Sequence, residues 1–214
     1  MIAGGFGELL LTAGALVLLF VVYTLWGTGI QTASAQDDLR QQLDFNGGQI
    51  VKQDPVVLDD LELGDAYGIM RIPRFGEDWE WIIVQGTEPA DLENGPGHYI
   101  DSVDPGEVGN FSIAGHRSGH GNPFVDFAEL RAGDIVEIET ATGIFTYQLD
   151  DAPDGDSDGN KIAITDTWVV DPVPGEPAGT EPTERRITLT TCWPRLGSSD
   201  RMFATGTLVG GETR

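Results

Sequence analysis

Short apolar runs, separated by Gly, Pro and Asp, dominate the chain from Asp65 onward, and few folds accommodate that pattern. Residues 67–72, 79–85, 110–114, 135–140, 144–149, 168–170, 187–192 and 202–209 each read as a strand. Turn signals fall between them, as at 131–134 and 141–143. Helical signal is weak, and 122–130 is the best short candidate. Many short strands at this spacing predict a mostly β barrel or sandwich over residues 65–214.

What precedes that domain has a different character. Residues 9–26 read LLLTAGALVLLFVVYTLW, 18 residues without a charge. As a helix the run would extend about 27 Å at ~1.5 Å per residue, close to a bilayer core of about 30 Å. Tyr23 and Trp26 close it with amphipathic rings suited to the headgroup region. The expectation is a single transmembrane helix inside an N-terminal anchor, residues 1–30. Thr32-Ala33-Ser34-Ala35-Gln36 has the small residues of a signal cleavage site. The segment before it lacks Lys and Arg, however, and its apolar run is long for a signal peptide, so an uncleaved anchor is the preferred reading. Residues 31–64 are acidic and polar and read as a linker, with a short amphipathic helix expected near 35–45.

The chain holds 35 Asp and Glu against 12 Lys and Arg, a formal net charge of −23. Such a surface repels phosphate backbones, which argues against nucleic acid as a partner. One loop, at 150–160, begins D-x-D-x-D-G at Asp154, Asp156, Asp158 and Gly159, like a calcium-binding loop. Its twelfth position is Thr165 rather than a chelating Glu, so it reads as a solvated acidic turn. One Cys and three scattered His do not compose a zinc site, and no Gly-rich phosphate loop precedes a helix. No metal or cofactor is expected.

Chemistry must therefore come from side chains. Cys192 is the sole cysteine, so it can form no internal disulfide. Strand alternation places Ile187 and Leu189 on one face and Thr188, Thr190 and Cys192 on the other. A structural cysteine more often packs with the apolar side. In residues 110–116, Phe111 and Ile113 face one way while Ser112, Ala114 and His116 face the other. His116 therefore fits as the imidazole that a nucleophilic thiol requires. His120, in a Gly-rich turn, and His98, in a Gly-Pro-Gly-His loop, read as structural or solvent-exposed. Arg201 starts the strand after the Cys192 strand, and an antiparallel return would set its fixed donors beside the thiol. Arg195 competes for that role and otherwise reads as surface charge.

Taken together these segments resemble the sortase family of cysteine transpeptidases. Thr188-Leu189-Thr190-Thr191-Cys192 is similar to the sortase T-L-x-T-C signature. Tyr67–Pro73, Gly95-Pro96-Gly97-His98-Tyr99, residues 105–110 and Ala114-Gly115-His116-Arg117 resemble other sortase segments, most of all those of actinobacterial class E. The resemblance implies an eight-stranded sortase-type β-barrel with short helices and a catalytic set of His116, Cys192 and Arg201. It implies substrate contacts from Tyr99, Thr190 and Thr191, with Tyr99 linked to a preference for Leu-Ala-x-Thr-Gly over Leu-Pro-x-Thr-Gly signals. The implied partners are secreted proteins bearing a C-terminal sorting signal, and a peptidoglycan precursor or pilin amine as acceptor. The implied setting is the cell membrane, with the catalytic domain outside the cytoplasm. A cysteine hydrolase using water and a non-catalytic anchored binding domain are the alternatives.

Overall fold

The computed structural model describes residues 2–23, 27–43, 45–46, 49–50, 58, 61–156 and 158–213. Two helices come first, α1 (Ile2–Val22) and α2 (Thr28–Gln42), followed by an antiparallel pair of short strands, β1 (Phe45–Asn46) and β2 (Gln49–Ile50). The remaining strands are β3 (Ala66–Arg71), β4 (Glu80–Gln85), β5 (Gly97–His98), β6 (Gly109–Gly115), β7 (Ile135–Thr140), β8 (Gly143–Asp151), β9 (Lys161–Ala163), β10 (Arg185–Trp193) and β11 (Asp200–Thr213). A short helix α3 (Pro89–Leu92) lies between β4 and β5.

The strand order is β10-β6-β5-β4-β3-β7-β8-β11, and β11 pairs again with β10, so eight strands close into a barrel. The short β9 is appended to the start of β11, beyond the point where β8 leaves it. Alternation then fills the interior. Ile187 and Leu189 of β10, Phe111 and Ile113 of β6, and Met202 and Ala204 of β11 all point inward and are buried. Burying each such Ile, Leu, Phe or Met side chain contributes about 1.5–3 kcal/mol. That closed core accounts for the stability of a chain with no disulfide.

Some expectations change. Residues 168–170 form a 3-10 turn rather than a strand. Three apolar residues are too few to show a period, and here Trp168 packs edge-on against Phe203 while Val169 is buried beside it. Of the helix expected at 122–130, only Phe127–Glu129 is helical, again as 3-10. Strands β5 and β9 have two and three residues, too short to read from the sequence.

Helix α2 lies within the stretch expected as anchor end and linker, and it docks on the barrel. Leu39 and Leu43 pack with Ile69 and Ile82. Between them, in effect, a side chain completes the sheet. The Gln36 amide accepts from the Ile82 N–H (2.8 Å) and donates to the Ile82 and Asn94 carbonyls (3.0 and 2.8 Å). Strand β5 reaches only Val84 and Gln85 of β4, so Gln36 covers the backbone groups that the short strand leaves bare. Among the described residues no helix is long and apolar enough to cross a membrane. Part of the expected span, residues 24–26, lies outside the described residues.

Candidate active site

Three neighbouring strands bring the reactive side chains together. In the antiparallel pair β10–β11, Cys192 stands directly opposite Arg201. In the parallel pair β6–β10, Thr191 is level with Gly115, so His116 leaves β6 beside Cys192. Adjacent strands lie about 4.8 Å apart, which sets the spacing of the three side chains across the sheet. Alternation sends them all to the outer face, because Leu189 and Ile113 occupy the interior. Gly115 belongs to this arrangement. A Cβ there would press into the Phe124 ring, which packs in the barrel core next to His116.

These side chains share one cleft of about 360 Å³, lined among others by Tyr99, His116, Thr190, Thr191, Cys192 and Arg201. All six residues singled out from the sequence thus meet there. Thr191 is fixed from below, its hydroxyl donating to the Gly115 carbonyl at 2.7 Å. The Tyr99 hydroxyl lies 3.1 Å from Thr190 Oγ1, and Thr190 reaches the Ile113 carbonyl at 3.3 Å. A second hollow of about 200 Å³ continues from Tyr99, Thr190 and Arg201 toward Ile162, Ile164 and Val169. Its wall, the 168–170 turn, is pinned to the barrel by Asn110, whose amide donates to the Val169 and Asp171 carbonyls and accepts from the Thr188 hydroxyl.

The electrostatics around His116 favour its neutral form. His116 is partly buried, and this burial holds its pKa below the ordinary histidine value. Repulsion from His120 lowers it further and Glu93 partly opposes. Arg201 is half-buried and donates to the Asp200 carbonyl at 3.1 Å; among the described residues it makes no ion pair. Arg195 is exposed and does not line the cleft.

The two remaining histidines differ from one another. His98 is 2% exposed, with Nδ1 at 2.8 Å from Gln85 Oε1 and Nε2 at 3.0 Å from Ser102 Oγ. It is structural, and it fixes the loop that carries Tyr99. His120 is not simply solvent-exposed: its ring stacks on that of His116, with centroids 4.8 Å apart and planes at 26°. A lone histidine between two glycines gives no sequence signal of such a contact.

The domain-family model described as Sortase domain matches residues 70–209. The chain belongs to the sortase family. Among curated relatives, Sortase SrtE1 of Streptomyces coelicolor is 32% identical over 212 residues, which cover 95% of this chain. This sortase chain spans 56% of the length of that relative. The solved sortase E of Streptomyces avermitilis is 38% identical, with a TM-score of 0.61 over 71% of this chain and 93% of that one. Sortase E1 of Streptomyces coelicolor, solved with a tripeptide in the active site, is 32% identical, with a TM-score of 0.58 over 71% of this chain and 92% of that one. Class E sortases therefore stand among its relatives, in line with the resemblance read from the motifs.

A pH prediction follows from His98. Burial pushes its pKa down from 6.5 to about 4, partly opposed by a backbone hydrogen bond at Val103. Unfolded chains therefore take up a proton at higher pH than folded ones. The stabilisation is complete above pH 6.5 and is lost as pH falls through 4, amounting to about 3 kcal/mol. Urea midpoints measured from pH 7 to 4 should fall less steeply for His98→Asn than for the unsubstituted protein. Parallel curves would show that His98 does not carry the effect.

Proposed function

We propose that this protein is a membrane-anchored transpeptidase that cleaves a Leu-Ala-x-Thr-Gly or Leu-Pro-x-Thr-Gly signal between Thr and Gly. The observation that supports this reading is the convergence of Cys192, His116 and Arg201, from three adjacent strands, on one open cleft.

The chemistry is acyl transfer in two halves. The Cys192 thiolate attacks the Thr carbonyl carbon, forming a C–S bond. Arg201 donates to the oxyanion that develops as the carbonyl opens. His116 in its protonated form gives its proton to the departing glycine nitrogen as the C–N bond breaks. An acceptor amine then attacks the thioester. His116, now neutral, takes the amine proton, and the sulfur leaves as thiolate. A lowered pKa makes His116 a stronger acid toward the leaving amine, at the expense of the fraction that carries a proton at neutral pH.

Tyr99, Thr190 and Thr191 hold the signal in the cleft, and Ile162, Ile164, Val169 and Val170 in the mixed polar and apolar hollow beyond Tyr99 suit an aliphatic side chain of that peptide. The acceptor is a peptidoglycan-precursor or pilin amine. Residues 9–26 hold the enzyme to the membrane with the barrel outside the cytoplasm. In support, Leu9, Leu10, Leu11, Leu16, Leu18 and Phe20 of α1 are all at least 62% exposed, an apolar surface that water does not favour.

Mass spectrometry of the full chain in detergent with a small library of pentapeptide signals tests this reading. An adduct on Cys192 with the mass of the peptide through Thr is the expected result, released as the amide when an amine is added. Cleavage at another bond, an adduct on another residue, or release only to water in the presence of amine would overturn it.

A further inference from the structure

The turn after His116 is shaped by an unusual backbone. Gly119, His120, Gly121 and Asn122 follow one another with φ of +74°, +49°, +73° and +52°. Glycines adopt that left-handed region freely, but His120 and Asn122 do so against the preference of an L-residue. The conformation is held from outside the loop. At the start of α2, the Thr28 hydroxyl accepts from the His120 N–H at 3.3 Å. Gly121 leaves no room for a side chain, because a Cβ there would meet the Trp81 ring and come within reach of Thr32. Thr32 in turn donates to the Glu93 carbonyl at 2.8 Å. The loop is thus clamped between α2 and β4, and the clamp delivers the His120 ring onto the His116 ring.

We propose that His120 is a positioning residue for His116: the second imidazole, seated by α2, fixes the plane of the first against the Cys192 cleft and sets its electrostatic surroundings. This rests on the sortase reading only for its consequence in catalysis. The charged and titratable groups around His116 are few. Cys192 of β10 and Arg201 of β11 share its cleft, Glu93 after α3 attracts its proton, and from α2 the Thr28 and Thr32 hydroxyls reach His120 and Glu93. Arg117 follows it in the chain but turns inward, donating to Met202 Sδ at 3.1 Å. His120 is therefore the neighbour whose charge and flat ring act most directly on His116, and both disfavour the imidazolium: the charge by repulsion, the ring by excluding water.

Two substitutions separate the ring from the charge. His120→Phe keeps a flat ring and removes the charge; His120→Ala removes both. The His116 titration is followed by NMR of the labelled full chain in detergent micelles, alongside the pH dependence of kcat and KM with a signal peptide. His116 should titrate at higher pH in both variants, and further in His120→Ala. A loss of about tenfold in kcat with KM little changed is expected for His120→Ala, since a displaced general acid misses the leaving group, and His120→Phe should retain most of the rate. An unchanged His116 titration in both variants overturns the proposal, and so does an equal fall in kcat for Phe and Ala with no shift in the profile. Should the unsubstituted protein form no acyl adduct with any signal, the sortase reading fails, yet the NMR titration still decides the influence of His120 on His116.

Discussion

Cys192→Ala should abolish both the covalent adduct and transpeptidation, a loss of at least about 10⁴-fold, because no other group in the cleft can form the thioester. The fold should survive. Cys192 is only partly buried, at the end of β10, so truncating one sulfur there is expected to shift stability by less than about 1 kcal/mol. Intact-mass analysis after incubation with a signal peptide, paired with a thermal melt, reads both quantities. Undiminished amide product from the alanine variant would sink the assignment of the nucleophile, whereas loss of product together with loss of the melt would move the question to Cys192→Ser, which preserves volume and polarity.

Arg201→Ala carries the second-largest expected effect, a fall of roughly 10²–10³ in kcat with KM changed far less, as expected for a donor whose interaction strengthens while charge builds on the carbonyl oxygen. Lysine should recover little. Its ammonium is a point charge on a flexible stem and cannot reproduce the planar fork of guanidinium donors. Arg195→Ala provides the contrast: it is exposed outside the cleft, and its loss should alter kcat by no more than about threefold. Equal effects at 195 and 201, or a KM effect alone at 201, would mean that Arg201 only binds the peptide.

Much of the site could be read from the sequence because it rests on strand parity. Period-two alternation in 187–192 and 110–116 places Cys192 and His116 on the face opposite the apolar residues, and one antiparallel return adds Arg201. The barrel imposes the same parity, with Leu189 and Ile113 inside. What could not be read lacks a period. Strand β5 has two residues, and its place in the sheet depends on Gly97 allowing the backbone to approach the Gly86 carbonyl. Helix α2 docks through Leu39 and Leu43 and through polar side chains, Thr28, Thr32, Gln36 and Arg40 among them, so its polar sequence gives little sign that it packs on anything. His120 is a third case. Its contact with His116 depends on four left-handed residues and a hydroxyl from a helix some 90 positions earlier, and neither propensity nor pattern reports that.

The parallel pairing of β6 with β10 bears on how the molecule comes to life. His116 and Cys192 sit 76 positions apart, and nothing local draws them together. That pairing is one of the seams that complete the ring, and a contact of such long range costs loop-closure entropy before it rewards it. Without that pairing the Cys192 sulfur and the His116 imidazole belong to separate strands with nothing to hold them together. The thiol–imidazole pair proposed for catalysis therefore exists only in chains whose β6 and β10 have met, and its assembly is tied to that of the barrel.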